Sequence, residues 1–431
     1  MADELFQKKY SAELQDYSLR FLKLIDRNDK INSVTDVLVF PVEGVKRLSA
    51  DIDGLNNDIL AAKPETEFEH LLLMNLSERL NSMRLSLNEY YEREFDYTYY
   101  LKTLGINEKD IREVIEHLKH IDLQSEAEKL LGSGESLYRG IPESKEEIKK
   151  IEEYYDEFVR LSYEVASPML TKLFKDYPGY RGSVELMENR NNRSSYSRTG
   201  KVYLNTFSPD VITVKRDLRW TNIIDVFSIA DIVGEEGILG HQGQFLATES
   251  SDIPQFLKKV QMPACTVNAE AIAIFGKHVM VDLLKNKRDM AKDINDKDFD
   301  LLSYNLGIRE SSDKTNRFVN AYADYFYFTK NREIGPMSDE VFKIIRSPWN
   351  VSGVYKERIK AYFNTKFWEN YKRSISVWAY AIADVMAMKF EKRLAGFDFE
   401  TRSKILAYMQ LGFWSKNSYE AYFDYLVKEL A

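Results

Sequence analysis

The amino-acid sequence predicts a mainly α-helical protein with one small antiparallel β-sheet. Three observations lead to this prediction. Apolar residues recur at helical spacing from residue 1 to about 130, alternate with polar residues at period two between 181 and 218, and return to helical spacing from Trp220 to the end of the chain. The two or three short strands predicted within 181–218 are expected to form the only sheet.

The first helical region is predicted to contain several consecutive helices. Leu71, Leu72 and Leu80 illustrate its apolar spacing, with charged residues between them. A Gly-Ser-Gly sequence at 132–134 is typical of a loop and ends the region. A Glu-x-x-His sequence at 67–70 fits the ligand spacing of di-iron helix bundles, but one copy is a weak signal because such sites need two copies and two more glutamates.

The middle of the chain is predicted to change from helix to strand. A helix is expected from Ser144 to about Lys175, because its first residues, Ser-Lys-Glu-Glu, are typical of a helix N-terminus. Val202 and Leu204 then alternate with polar neighbours, as in a half-buried strand, and Gly200 supplies a turn before them. From Trp220 onward the helices resume, with Gly276 and Gly396 among the predicted breaks.

Composition and charge exclude several classes of protein. The 431 residues are 44% hydrophobic and 30% charged, which is typical of a folded chain. A net charge of -8, with acidic and basic residues mixed, argues against a nucleic-acid partner. The single cysteine, Cys265, excludes an intramolecular disulfide and a multi-thiolate metal site. We expect a cytoplasmic protein without a membrane segment, since no apolar run reaches the ~20 residues of a span and the N-terminus lacks a signal-like segment.

The strongest candidates for functional residues lie between 234 and 244. Glu235 and Glu236 stand just before a glycine-rich stretch that ends at His241, and carboxylates with histidine are typical metal ligands. Glu235 and His241 are six residues apart (241 minus 235), so on a continuous helix they would lie ~120° apart and could not share an ion. A break at Gly237 and Gly240 would fold His241 back toward the carboxylates.

The glycines of this stretch also have a purely structural interpretation. Gly234, Gly237, Gly240 and Gly243 recur every third residue, as in a tight turn that packs closely against a neighbouring helix. A phosphate-binding loop is not expected, because the two adjacent glutamates would repel the anion.

Glu270 is the second candidate position for a metal ligand. It follows the predicted helix start at Thr266 and precedes an apolar run that continues to Phe275. A charged carboxylate there is costly unless it is paired or binds a metal. The alternative is a carboxylate in the first helical turn that free backbone N–H groups satisfy.

These elements together resemble the family known as domain of unknown function 885, whose signature is His-Glu-x-x-Pro-Gly-His. Members are mostly helical, gluzincin-like proteins regarded as zinc peptidases. Glu236, Gly240 and His241 match the signature in register, and Gln244 matches a glutamine that commonly follows it. The sequence from Glu270 to Phe275 is similar to the family's Glu-Gly-Trp-Ala-x-Tyr, and that around Tyr380 to its Tyr-x-Ile-Gly helix. The resemblance covers roughly residues 150 to 431.

The resemblance implies an architecture and a set of roles. The expected fold has two helical lobes around a cleft, with a helical lobe at 1–140 and a peptidase-like lobe at 141–431 that together form one integrated unit and the small sheet near the cleft. The expected metal ligands, for zinc or another divalent ion, are Glu235, His241 and Glu270. Glu236 is then the general base toward a metal-activated water, and Tyr380 donates a hydrogen bond to the developing oxyanion.

Departures from the family leave a second function open. Glu235 stands where the family has its first histidine ligand, and Leu239 replaces the proline. Hydrolysis of short peptides is therefore one prediction, and the alternative is a catalytically degenerate relative that binds a peptide or small ligand in the cleft. The sequence also leaves two roles open for Asp384, a hydrogen bond with Tyr380 or an ordinary polar position on a buried helix.

Three arginines near the predicted strands are candidates for contacts to such a ligand. Arg190, Arg193 and Arg198 flank the strands, and an arginine can receive a peptide's C-terminal carboxylate through paired hydrogen bonds. Basic loops of this kind also occur without a binding role. The expected partner is a peptide or a small molecule.

Overall fold

A computed structural model describes residues 10–33, 42–92, 97–120, 233–261, 263–286, 317–331 and 374–430, with strand residues at 183–187, 195–196 and 201–205 and short pieces at 153, 157–158, 160–162 and 314–315. Over these residues the protein is mainly α-helical, which confirms the main part of the prediction. Arg190, Arg193 and Arg198 lie outside the described residues.

The helices are, in chain order, α1 (Ala12–Ser33), α2 (Val42–Ala61), α3 (Glu67–Glu92), α4 (Tyr97–Thr103), α5 (Glu108–Lys119), α6 (His241–Ser250), α7 (Thr266–Asn286), α8 (317–326), α9 (Ser374–Leu394), α10 (Phe399–Met409) and α11 (Lys416–Leu430). A 3₁₀-helix covers Gln255–Lys258, and a π-helix, Tyr327–Asn331, follows directly on α8. The strands are β1 (Ser183–Met187), β2 (Ser195–Tyr196) and β3 (Lys201–Asn205). The start of α7 at Thr266 agrees with the predicted helix start.

The chain divides into two compact units that are not continuous in sequence. Unit 1 comprises Met1–Ile121, Ser251–Ala271 and Asn316–Ala431, and unit 2 comprises Asp122–Ser250 and Ile272–Thr315. The N-terminal helices thus belong to the same unit as the C-terminal ones. This division differs from the predicted boundary near residue 140, which gave the N-terminal helices a lobe of their own.

Helix α3 is central in unit 1, where it packs against α2, α4 and α11. Aromatic side chains fill the space between α3 and α11. Trp414 stacks on Tyr422 with ring centroids 4.4 Å apart, and Phe68 of α3 meets Trp414 edge-on at 6.4 Å. All three are buried, and burying large aromatic rings contributes strongly to a hydrophobic core.

The N-terminus of α11 is held by polar side chains from α3. The Ser415 and Ser418 hydroxyls donate to Oδ1 of Asn75 at 3.0 and 3.1 Å, and the Ser418 backbone N–H donates to Glu78 Oε2 at 3.0 Å. The first N–H groups of a helix have no partner within it, so these acceptors satisfy groups that burial would otherwise leave unpaired. They fix where α11 docks on α3.

A buried arginine joins α3 to the 3₁₀-helix region of unit 1. The guanidinium of Arg79 donates to the backbone oxygens of Phe256 and Lys259, each at 2.7 Å, and to Gln261 Oε1 at 2.9 Å. It also lies over the ring of Phe21, 4.8 Å from the centroid. Burial lowers the pKa of Arg79. The oxygens that accept these hydrogen bonds belong to two backbone carbonyls and a side-chain amide, and none of the three is a carboxylate oxygen.

Helix α5 begins with a reciprocal cap. The Asn107 side chain accepts from the backbone N–H of Asp110 at 3.3 Å, and the Asp110 carboxylate accepts from the Asn107 N–H at 2.9 Å. The other oxygen of Asp110 accepts from the buried Lys416 ammonium at 2.5 Å. This ion pair connects the first turns of α5 and α11.

The prediction of an antiparallel sheet is wrong. The three strands lie in the order β1-β3-β2, and β1 pairs with β3 in parallel, with Ser183 opposite Lys201 and Met187 opposite Asn205. Only β2 is antiparallel to β3. Alternation of apolar and polar residues predicts strands but not their direction. The 13 residues between β1 and β3 (188–200) reach the dozen or so that a parallel connection needs.

In the part of the chain that the structure describes, no helix is both long enough and apolar enough to cross a membrane.

Candidate functional site

The break predicted between the two glutamates and His241 is present. Residues 233–236 form one helical turn, 237–240 form a tight turn, and α6 begins at His241. The backbone N–H of Gly237 donates to Val233 O at 3.1 Å, and that of Gly240 donates to Gly237 O at 3.0 Å. The direction of the chain therefore changes between Glu235 and His241, as the metal-site hypothesis requires.

Glycine is needed at this turn because the backbone folds onto itself. A Cβ placed on Gly240 would lie 1.9 Å from the carbonyl oxygen of Glu235, and one on Gly237 would lie 2.3 Å from that of Val233. No side chain fits at such distances. The fold-back brings residue 240, and so the start of α6, next to the backbone of Glu235.

The same turn packs against α7 within unit 2, which confirms the structural interpretation of the glycines. A Cβ on Gly276 would lie 2.5 Å from the carbonyl oxygen of Gly234 and 2.6 Å from that of Leu239. On the other side, a Cβ on Gly234 would lie 2.8 Å from the Cα of Lys277. The two backbones touch without side chains between them.

The predicted site residues do not all belong to one unit. Glu235, Glu236 and His241 are half-buried and share the turn of unit 2. Glu270 lies in the second turn of α7 and Tyr380 lies on α9; both are half-buried and belong to unit 1. Glu270 is thus beyond the first turn to which the structural alternative assigned it.

The described part of the chain contains no ready-made group of metal ligands. All four predicted carboxylate and imidazole groups are among the described residues, and within that set no three His, Cys, Asp or Glu side chains are grouped so that they could hold one. A catalytic zinc site needs three protein ligands in its first shell. The ligand set of Glu235, His241 and Glu270 therefore stays a prediction from the sequence.

Tyr380 lies beside an ion pair that the sequence did not reveal. The Arg317 Nη1 is 3.0 Å from each carboxylate oxygen of Asp384, and the guanidinium carbon is 5.5 Å from the centroid of the Tyr380 ring. Asp384 is buried, whereas the Arg317 side chain keeps 19% of its surface exposed. Asp384 therefore fixes a cation that solvent still reaches. Arg317 is 67 residues away in sequence, so no local pattern signals the pair.

A second buried carboxylate, Asp324 on α8, was also not predicted. The Tyr97 hydroxyl donates to its Oδ2 at 2.6 Å, and the side chain is fully buried. Burial raises the pKa of Asp324 to about 7, and the hydrogen bond from Tyr97 counteracts part of that rise. Burial also raises the pKa of Tyr97 far above its ordinary value, and Asp324 adds to this. The only signal in the sequence was an aspartate among aromatic residues.

Comparisons with known proteins add little to this geometry. No protein-family model matches the chain, and no curated protein matches it. A solved structure that it resembles is that of a "putative lipoprotein" from Colwellia psychrerythraea, with 11% sequence identity and a TM-score of 0.48 over 90% of this chain and 70% of that one. A likeness at this level supplies no argument about function. The resemblance to the domain of unknown function 885 family stays a prediction from the sequence motifs.

Proposed function

We propose that the protein is a catalytically degenerate relative of helical metallopeptidases that binds a peptide or small carboxylate-bearing ligand. The observation that supports the proposal is the ion pair of Arg317 with the buried Asp384 beside the Tyr380 ring, which leaves part of the guanidinium exposed. The glutamate at 235, where the family has a histidine, agrees with this reading.

The contact group for the ligand is Arg317 with Tyr380. Arginine binds carboxylates through its planar donors, and its position is most specific when another group already holds it in place. Asp384 provides that hold from the buried side, and the Tyr380 ring lies against the guanidinium. A ligand carboxylate reaching the exposed part of Arg317 would meet a cation that needs little further ordering.

The direct test is binding of a library of short peptides, measured by calorimetry with wild type and two arginine variants. Arg317→Gln is expected to weaken binding at least about tenfold, the size of a lost charge-assisted contact. Arg393→Gln is the matched control, since Arg393 also lies over an aromatic ring, that of Phe423 at 5.3 Å, and pairs with an aspartate. Equal affinities for wild type and Arg317→Gln would contradict the assignment.

Hydrolysis of short peptides remains the second candidate, and one observation favours it. The fold-back at 237–240, which that hypothesis needs, brings the start of α6 next to Glu235. Metal content per chain and peptide cleavage separate the two candidates. Close to one equivalent of metal, with cleavage lost in Glu236→Gln and kept in Glu249→Gln, an exposed glutamate of α6, would support hydrolysis and reject the binding proposal. No cleavage and unchanged binding in Glu236→Gln are expected.

A further inference from the structure

Asp324 combines complete burial with incomplete hydrogen bonding. Its Oδ2 accepts from Tyr97, whereas Oδ1 is buried and has no hydrogen-bond partner among the residues that the structure describes. A neutral carboxylic acid tolerates this environment much better than a carboxylate does, because an ionised oxygen without donors is costly in a protein interior.

The same tyrosine holds α4 to the end of α8. Its ring stacks on Phe328 of the π-helix with centroids 4.7 Å apart and planes at 15°, and it lies 6.4 Å from the ring of Tyr325. Helix α4 has only seven residues, so contacts of this kind decide whether it stays in place. π-helical turns are frequent where a helix serves a specialised role.

No charged group among the described residues compensates a negative charge on Asp324. Near the Tyr97 hydroxyl, α4 supplies the titratable Tyr100 and α9 supplies the uncharged Trp378. On α8 itself, Arg317 pairs with Asp384. Burial and the Tyr97 hydrogen bond are the only causes of the shifted titration of Asp324.

We propose that Asp324 and Tyr97 form a pH-sensitive contact, in which a protonated Asp324 keeps α4 docked on residues 317–331 and loss of its proton favours local opening of α4. The proton that is lost passes to solvent when water reaches the carboxyl group in the open state. The carboxylate then gains the donors that it lacks in the closed state. Opening of α4 is thus the conformational change that a rise in pH promotes.

The linkage between proton loss from Asp324 and opening of α4 has a definite sign and pH range. In the open state Asp324 titrates near its ordinary value of 3.8, and in the closed state it titrates near 7. Between these values the opening equilibrium rises on the order of tenfold per pH unit, and above about pH 7 it becomes constant.

Hydrogen exchange of peptides covering α4 and residues 317–331 tests the proposal on the full chain. Exchange is compared at about pH 5 and about pH 7. The opening equilibrium is expected to change over most of this interval. At each pH, the exchange rates of wild type are compared with those of Asp324→Asn. This comparison cancels the effect of pH on the intrinsic exchange rate. Wild type is expected to lose protection there on the order of tenfold or more relative to the variant as pH rises. Asp53→Asn, an exposed aspartate on α2, is the matched control and should follow wild type.

A second readout keeps the test decisive if Asp324→Asn does not fold. The infrared band of a protonated carboxylic acid should persist in wild type near pH 6, and it should shift in Tyr97→Phe, which keeps the ring and removes the donor. Equal protection of α4 in wild type and Asp324→Asn at both pH values, or absence of the infrared band, would overturn the proposal.

Discussion

Gly276 of α7 lies so close to Gly234 that a Cβ on Gly276 would be 2.5 Å from the Gly234 carbonyl oxygen. This contact sets where the turn that carries Glu235, Glu236 and His241 rests on α7. It also explains a wrong prediction, because Gly276 lies inside α7 and does not break it. A glycine in a helix interior costs up to about 1 kcal/mol, and here it allows a backbone approach that alanine would prevent.

Gly276→Ala is expected to lower the free energy of unfolding by about 2 kcal/mol, since neither backbone can yield cheaply. Denaturant unfolding measures the effect. Gly54→Ala is the matched control, because Gly54 lies inside α2 with open space around its Cα. That substitution should stabilise the protein by about 0.5 to 1 kcal/mol, from helix propensity. A neutral Gly276→Ala would mean that the contact with Gly234 is not close.

Arg79→Met is expected to destabilise the protein by about 3 to 5 kcal/mol. The change leaves the carbonyl oxygens of Phe256 and Lys259 and the amide oxygen of Gln261 without their donor. Arg27→Met removes an exposed arginine that pairs with Asp51, and it should cost less than about 1 kcal/mol. Chemical denaturation measures the free energy of unfolding of the two variants. Similar decreases in both would contradict the role of Arg79.

Lys416→Met leaves the buried Asp110 carboxylate with only its backbone partner, so we expect a loss of about 3 kcal/mol. Lys119→Met breaks the exposed pair with Glu116 and should change stability by less than about 0.5 kcal/mol. The two thermal unfolding curves should therefore separate clearly. Coincident curves would show that the Lys416–Asp110 pair adds no net stability.

The free energy of unfolding should also change with pH because Asp324 titrates. The folded state binds this proton more tightly than the unfolded state, since the pKa of Asp324 rises from 3.8 to about 7 on folding. Its contribution to stability is therefore greatest below about pH 4 and falls as pH rises to about 7, by about 4 kcal/mol in all. The difference in unfolding free energy between Asp324→Asn and wild type, measured across this range, should rise with pH. A constant difference would contradict the assignment.

Local patterns predicted those features whose cause is local. The break at 237–240 follows from glycine conformation, the helix start at Thr266 follows from the local sequence, and the structure confirms both. The parallel pairing of β1 and β3 was not predictable, because alternation is the same for either direction.

The features that the sequence missed depend on residues far apart along the chain. Arg317 meets Asp384 and Tyr97 meets Asp324 only after folding, across 67 and 227 residues. The prediction of a metal site rests on order and spacing alone, and it stays a prediction. The grouping of the N-terminal helices with the C-terminal ones in unit 1 also depends on contacts between distant parts of the chain.

The docking of α11 on α3 has a consequence for biosynthesis. Asn75 and its partner Ser415 are separated by 340 residues, so the aromatic core around Phe68 and Trp414 forms only when α11 has left the ribosome. Until then the apolar face of α3 is without its last covering helix. Such late, long-range closure slows folding and leaves nascent chains open to aggregation, so this protein should depend on chaperones during synthesis more than a bundle of sequential helices does.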